Sequence, residues 1–253
     1  MIEKSAQDFY DDIANYYDSM IRFQERNTTE KKILKLWVDK YHFKSVLDAA
    51  CGSGLHTIAL TQLSVQATGV DISPQMIARA SKNARDLGLT IPFEQSPLQE
   101  MDKRLVDKFD TVLILGNSLP HLTDERELRS SLVSIRKVLT DNGFLILQIL
   151  NYERILNDRQ RVISVSRNGE HEFIRFYDFI KPYVRFNVLH IHWQNTNPQH
   201  EINSTQLYPY NLSELSKILT HEGFTIQDVY GSMNFDAYNP KQSKNLIIVA
   251  QPN

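Results

Sequence analysis

Residues 45–60 read SVLDAACGSGLHTIAL, and this stretch decides the fold. Val46 and Leu47 belong to a short apolar run of the kind that forms a buried strand. The run leads into Asp48, and small residues follow, with Gly52 and Gly54 suited to a tight turn. A helical apolar pattern then begins at residue 56. The stretch therefore predicts a β-turn-α unit that places a carboxylate at the mouth of a glycine turn.

Strand and helix patterns alternate outward from this unit. Short apolar runs occur at 45–49, 67–71, 109–115 and 144–150, and helical patterns lie between them at 56–63, 74–87 and 125–139. Such alternation is typical of a parallel sheet with helical crossovers. We expect Asn142 and Gly143 to form the turn into the strand that starts at residue 144.

The pattern changes after residue 152. Residues 162–207 are rich in β-branched and aromatic side chains, and Asn168-Gly169 is a hairpin signal, so we predict an antiparallel insertion of three or four strands. A helical pattern and two short strands follow. The sequence therefore divides into an N-terminal helical lid (1–44), an α/β domain (45–150 and 211–253) and a β insertion (151–210) that we expect to bind substrate.

The composition of the chain argues against several classes of function. The chain has 253 residues, a net charge of −2 and one cysteine. It has no basic excess, so we expect no nucleic-acid partner. A single cysteine favours a reducing cytoplasm, and no apolar run is long enough to predict a membrane segment.

Two acids predict the cofactor. Asp48 would repel a diphosphate, and the stretch lacks the GxGxxG spacing of a dinucleotide site. A cationic nucleoside without phosphate, such as S-adenosylmethionine, suits this setting better. Asp71 ends the next apolar run, 17 residues after Gly54, where a carboxylate can accept hydrogen bonds from ribose hydroxyls.

The segments VLDAACGSG, VDISPQMI, FDTVLILGNSLPHL and LTDNGFLIL resemble the class I S-adenosylmethionine-dependent methyltransferases. This resemblance implies a Rossmann-like, doubly wound sheet of seven strands whose last strand is antiparallel, with the β insertion after the fifth strand. Ala50 stands where the family has its first glycine, and Pro97 where it often has an acid. The cofactor-binding residues that the resemblance implies are Asp48, Ala50, Cys51, Gly52, Gly54, Asp71, Ile72, Met76, Ser96, Pro97 and Leu98.

The segments DAACGSG, LGNSLPHL and NYERIL are similar to stretches of glycine and sarcosine N-methyltransferases. This closer resemblance implies that the methyl donor lies near Leu115, Gly116, Asn117 and His121, and the acceptor near Asn151, Tyr152 and Tyr208. From the residues themselves, we expect Tyr10, Tyr16 and Tyr17 to cover the sulfonium and acceptor. Arg22 or Arg26 would pair with the methionyl carboxylate, and Arg175 and Tyr177, on one strand face, would meet an anionic acceptor.

The sequence is compatible with several functions. Methyl transfer to a small-molecule amine needs positioning, with Asn117 and Tyr17 as candidates, whereas transfer to a hydroxyl needs a base, for which His121 is the candidate. A nicotinamide-dependent oxidoreductase and a non-catalytic cofactor-binding protein are the alternatives. His190 and His192 share a strand face, but without further ligands at suitable spacing we expect no metal. A homodimer is left open.

Overall fold

The computed structural model describes residues 3–194 and 197–253. Residues 1–2 and 195–196, which fall within the predicted segments 1–44 and 151–210, lie outside the described residues. The helices are α1 (Ala6–Ile21), α2 (Phe23–Tyr41), α3 (Leu55–Thr61), α4 (Pro74–Asp86), α5 (Met101–Arg104), α6 (Glu125–Val138), α7 (Tyr152–Asn157) and α8 (Leu212–His221). The strands are β1 (Ser45–Ala49), β2 (Gln66–Asp71), β3 (Phe93–Gln95), β4 (Phe109–Ile114), β5 (Leu139–Leu150), β6 (Val162–Asn168), β7 (His171–Ile180), β8 (Tyr183–Gln194), β9 (Asn197–Leu207), β10 (Phe224–Tyr230) and β11 (Asn245–Pro252).

Seven strands form a central sheet in the order β10-β11-β5-β4-β1-β2-β3. Strands β1 to β5 pair in parallel, whereas β11 runs antiparallel to both β5 and β10. The central strands are mostly apolar and are buried on both faces, as a sheet covered by helices requires. The predicted doubly wound sheet with an antiparallel last strand is confirmed.

The predicted turn at Asn142-Gly143 is wrong. Strand β5 begins at Leu139 and runs through both residues, with a register shift against β4 between Phe109 and Thr111. A Cβ atom on Gly143 would lie 3.0 Å from the backbone oxygen of Asp110. The glycine is therefore needed for close contact with the neighbouring strand at a local irregularity, and it does not end the strand.

The insertion after β5 forms a separate antiparallel sheet in the order β6-β7-β8-β9. The hairpin turn lies at Gly169, as predicted, because Asn168 pairs with His171. The helix α7 precedes this sheet and was not predicted, since its six residues are too few to show helical periodicity.

Helix α1 lies between the α/β domain and the insertion. Its buried residues Phe9, Ile13 and Met20 pack in one cluster with Met76 of α4 and Phe173 of β7. Helix α2 begins at Phe23 and buries Leu34 and Trp37 against the other face of the sheet. None of the helices in residues 3–194 and 197–253 combines the length and apolar character needed to span a bilayer.

Candidate active site

A cavity of about 790 Å³ lies at the carboxyl ends of the parallel strands. Its floor is formed by the residues that follow β1, β2 and β4, at 50–53, 71–72 and 115–118. Helix α1 and the insertion strands β7 and β8 form the opposite wall. Open α/β sheets bind their ligands at this edge, so the cavity is the candidate active site.

The turn after β1 brings its backbone to the cavity surface. Ala50, Gly52 and Gly54 all have positive φ angles, of 63°, 55° and 84°. At Gly54 a Cβ atom would lie 3.0 Å from the Cβ of Ala80 and 3.2 Å from the Phe93 ring, so this position requires glycine. Ala50, Cys51 and Gly52 line the cavity, whereas Gly54 supports the turn from behind.

Asp48 does not line the cavity, contrary to the expectation that it would face the ligand. Its side chain is buried beneath the turn, where Oδ2 accepts a hydrogen bond of 2.6 Å from the Thr57 hydroxyl. Burial raises the pKa of Asp48, and the nearby His56 and the hydrogen bonds from Thr57 oppose that shift. Asp48 therefore fixes the first turn of α3 against the end of β1.

Asp71 lines the cavity at the end of β2. Its Oδ2 accepts a hydrogen bond of 2.8 Å from the Gly52 amide, and its Oδ1 accepts one of 2.9 Å from the Ser73 amide. Burial raises the pKa of this carboxyl to about 6, although both amides favour the ionised form. Each oxygen keeps acceptor capacity for a ligand hydroxyl, and the neighbouring Ile72 also lines the cavity.

The segment after β3 contributes three residues to the cavity wall. Ser96 and Leu98, which were expected to bind the cofactor, line it together with Gln99. Pro97 is not among the lining residues. Met76, which was expected to bind the cofactor, is fully buried in the α1 cluster and lies outside the cavity.

The turn after β4 has two consecutive residues with positive φ, Gly116 (70°) and Asn117 (65°). Both line the cavity with Leu115. The Asn117 side chain is already engaged, because Oδ1 accepts a hydrogen bond from the Leu150 amide and Nδ2 donates one to the Tyr152 hydroxyl, both at 2.9 Å. This amide therefore holds the turn in place, and the backbone carbonyls of the turn are better suited to meet a ligand.

His121 lines the cavity in a short 3-10 turn and is neutral near pH 7. Its Nε2 lies 3.1 Å from the Tyr10 hydroxyl, and burial lowers its pKa to about 4. Its Nδ1 is buried and has no hydrogen-bond partner among the described residues. The imidazole is therefore a neutral group in the cavity wall, with its Nε2 engaged by Tyr10.

Helix α1 presents its adjacent tyrosines to opposite sides. Tyr17 lines the cavity, and a Cβ atom on Gly52 would lie 3.7 Å from its hydroxyl oxygen. Tyr16 faces the insertion, where its ring centroid lies 4.2 Å from that of His190 and its hydroxyl accepts a hydrogen bond of 3.0 Å from Asn203. Tyr16 therefore lies outside the candidate acceptor site, because successive helical residues point in different directions.

The insertion brings Arg175 and Tyr177, two residues apart on β7, into the cavity wall. The Arg175 Nε donates a hydrogen bond of 2.7 Å to the Ser164 hydroxyl. Burial lowers the pKa of this guanidinium, which is a sign of its partial removal from water. No carboxylate lies within ion-pairing distance of Arg175 in the part of the chain that the structure describes.

The other residues expected near the acceptor do not line the cavity. Asn151 begins α7, and its Nδ2 donates hydrogen bonds to the backbone oxygens of Pro240 and Ser243. Tyr152 is buried behind Asn117, and the Tyr208 hydroxyl donates to Glu214 at 3.2 Å. These residues support the walls from outside.

Comparison with known proteins identifies a methyltransferase domain in the chain. Residues 46–143 match the family described as Methyltransferase domain. The glycine/sarcosine N-methyltransferase of Parasynechococcus marenigrum is 34% identical over 150 residues, which is 59% of this chain and 53% of that protein. Residues 46–143 therefore form a methyltransferase domain.

Two further comparisons cover more of the methyltransferase. The glycine/sarcosine N-methyltransferase of Aphanothece halophytica is 26% identical over 218 residues, covering 85% of this chain and 79% of that protein. A crystal structure of an S-adenosylmethionine-dependent methyltransferase from Clostridium acetobutylicum has a TM-score of 0.80 at 17% identity, covering 96% of this chain and 99% of that one. The likeness to the first relative spans about half of that protein's length. The predicted resemblance to this group is confirmed.

The cavity of the methyltransferase fits its cofactor. Asp71 offers two acceptor oxygens in the wall, and the turn at Gly52 exposes backbone beside the Tyr17 ring. At Gly116 a Cβ atom would meet nothing within 4 Å, so the backbone of this turn is open to a ligand. Arg26 lines the same cavity and can reach a carboxylate. We expect these residues to hold S-adenosylmethionine.

Sequence reasoning did not assign several residues that line the cavity of the methyltransferase. Among them are His56, Gln99 and Gln148. Gln148 accepts a hydrogen bond of 2.7 Å from the Gly116 amide, a contact between two strand ends that no local pattern indicates.

Proposed function

We propose that this methyltransferase transfers a methyl group to the amine nitrogen of a small molecule that also carries a carboxylate. The relatives named glycine/sarcosine N-methyltransferase support an amine acceptor. The observation that carries the proposal is the position of Arg175 in the cavity wall.

Arg175 is suited to bind an anionic acceptor. Its guanidinium is partly desolvated, and its one side-chain hydrogen bond among the described residues is donated to a neutral hydroxyl, that of Ser164. A carboxylate can accept two parallel hydrogen bonds from a guanidinium, and this interaction strengthens where water is excluded. Tyr177, two residues along β7, also lines the cavity. An amine that carries a carboxylate would thus be held by its acid group.

S-adenosylmethionine supplies an electrophilic methyl group on its sulfonium. The amine must arrive neutral, with its lone pair in line with the bond that breaks; its nitrogen gains the methyl group, the sulfur keeps the electron pair of that bond, and the product releases a proton to water. Positioning and exclusion of water are the contributions that this chemistry needs from the protein. The backbone carbonyls of the Gly116-Asn117 turn can orient the N–H groups, and Tyr10 and Tyr17 shield the cavity from solvent.

Methylation of a hydroxyl has less support. A hydroxyl acceptor needs a base that is poised near the working pH, and His121 was the candidate. With its pKa lowered to about 4, the imidazole is a weak proton acceptor. Its Nε2 also contacts the Tyr10 hydroxyl.

The test measures S-adenosylhomocysteine formation with matched acceptors. Glycine, sarcosine and larger α-amino acids carry both groups, methylamine lacks the carboxylate, and glycolate has a hydroxyl in place of the amine. We expect turnover with at least one amino acid and none with methylamine or glycolate. Turnover with glycolate alone, or equal turnover with methylamine, would overturn the proposal.

A variant pair tests the role of Arg175. Arg175→Gln is expected to raise KM for the amino-acid acceptor by about 10- to 100-fold, as loss of a charge-assisted hydrogen bond should. Its affinity for S-adenosylhomocysteine should change little. Arg161→Gln is the matched control, because Arg161 lies in the same insertion but pairs with Asp178 at the surface. If Arg175→Gln loses more affinity for S-adenosylhomocysteine than for the acceptor, Arg175 binds the cofactor and not the acceptor.

A further inference from the structure

Three charged or titratable side chains meet where α2 approaches the turn after β1. Arg26 Nη2 and Nε donate to Glu30 Oε1, at 2.6 and 3.3 Å. The other oxygen of Glu30, Oε2, lies 3.8 Å from Nε2 of His56, which belongs to the first turn of α3. Arg26 and His56 line the cavity, whereas Glu30 stands behind them.

Glu30 is placed to control both neighbours. The side chains of Glu30 and His56 are only 14% and 15% exposed, while that of Arg26 is 42% exposed. An arginine with that much exposure has many rotamers in water, and a fixed carboxylate one helical turn away restricts them. Because the carboxylate spans Arg26 and His56, it also links α2 to α3.

We propose that His56 binds the carboxylate of the cofactor's methionyl group together with Arg26, and that Glu30 is the positioning residue that orients both. The proposal rests on the cofactor and on the expected role of Arg26, and it is independent of the acceptor. The methionyl group carries the anionic charge of S-adenosylmethionine, and these two nitrogen-bearing side chains line the cavity from α2 and α3. Glu30 does not line the cavity, so its charge is turned toward its neighbours and away from the ligand.

Binding of two ligands separates this role from a structural one. S-adenosylhomocysteine contains the methionyl carboxylate, whereas 5′-methylthioadenosine has the same thionucleoside without the amino-acid portion. Calorimetry should show that Glu30→Gln lowers the affinity for S-adenosylhomocysteine about tenfold, as loss of a charged hydrogen-bond partner predicts. The affinity for 5′-methylthioadenosine should change less than twofold. His56→Ala should show the same selective loss.

The matched control lies on the same helix. Asp39→Asn removes the Lys35–Asp39 ion pair, which has the same i, i+4 spacing and does not reach the cavity. It should leave both affinities unchanged. An equal loss for the two ligands in Glu30→Gln and His56→Ala would mean that these residues only support the fold. Unchanged or tighter S-adenosylhomocysteine binding would likewise overturn the proposal.

Discussion

Asp71 holds its carboxylate between two backbone donors and the open cavity. The amides of Gly52 and Ser73 fix its orientation, so little side-chain entropy remains to be lost when a ligand binds. We predict that Asp71→Ala weakens S-adenosylhomocysteine binding by roughly 1.5–3 kcal/mol, the usual effect of removing a charged hydrogen-bond partner. Titration calorimetry measures this directly. A dissociation constant equal to that of the wild type would rule out contact between Asp71 and the ribose.

The protonation of Asp71 predicts a pH dependence of cofactor affinity. Burial raises the pKa of this carboxyl to about 6, so it is ionised at pH 7.5 and largely protonated at pH 5. A protonated carboxyl loses acceptor strength, and ligand hydroxyls need the ionised form. Affinity for S-adenosylhomocysteine should therefore fall as pH decreases, by up to about tenfold per pH unit below 6.

Asp71→Asn provides the control for that pH dependence. The amide cannot ionise, so its binding should be weak and nearly flat between pH 5 and 7.5. If the affinity of the wild type stays constant over this pH range, another residue accepts the hydrogen bonds from the ligand hydroxyls. A variant profile as steep as that of the wild type would assign the slope to a different titrating residue.

Asp48 and Asp71 illustrate what the sequence could predict at single residues. Both acids come at the end of an apolar run, and this pattern correctly indicated strands that end at a ligand-binding edge. The direction of each side chain depends on which face of the sheet it meets, and a single strand does not reveal that. Asp48 is buried beside Thr57 of α3, whereas Asp71 reaches the cavity.

At the scale of elements, Asn151 joins three segments. Its Oδ1 accepts from the Arg154 amide at the start of α7, and its Nδ2 donates to the oxygens of Pro240 and Ser243, in the loop before β11. We predict that Asn151→Ala lowers the free energy of unfolding by about 2 kcal/mol, since a helix cap and buried hydrogen bonds are lost. Urea denaturation measures the change.

The control for Asn151 is Asn157→Ala at the other end of α7, where the side chain is exposed and donates a hydrogen bond to the neighbouring Asp158. It should leave stability nearly unchanged. Affinity of Asn151→Ala for S-adenosylhomocysteine should be preserved. If Asn151→Ala keeps full stability but loses turnover, Asn151 belongs to the acceptor site, as the sequence resemblance implied.

Elements with strong patterns were predictable, and elements fixed by tertiary contact were not. The helical pattern at 74–87 predicted both the type and the start of α4, which the structure caps with Ser73 and starts at Pro74. Strand β5 was predicted to start too late because Gly143 reads as a turn residue, although close packing against β4 explains it equally well. Single-sequence patterns describe local preference, and tertiary packing decides between the alternatives.

At the scale of the whole molecule, the cavity exists only where three parts meet. The α/β domain provides Asp71 and the turns, α1 provides Tyr10 and Tyr17, and the insertion provides Arg175. The alternation of strands and helices predicted the first part, and β-rich composition predicted the insertion. The meeting of α1 with both parts depends on contacts such as Arg79–Asp18 and Asn203–Tyr16, which join residues more than 60 positions apart.

These contacts predict how ligand binding changes the dynamics of the molecule. If α1 (Ala6–Ile21) opens to admit the cofactor, a bound ligand that contacts Tyr17 should oppose the opening, because ligand binding stabilises the closed state by mass action. We predict that saturating S-adenosylhomocysteine slows amide hydrogen exchange in α1 at least tenfold. Strand β10 (Phe224–Tyr230), at the far edge of the central sheet and outside the cavity, is the internal control and should exchange at the same rate. Equal slowing in both elements would indicate global stabilisation alone, and unchanged exchange in α1 would mean that this helix is a fixed wall and no lid.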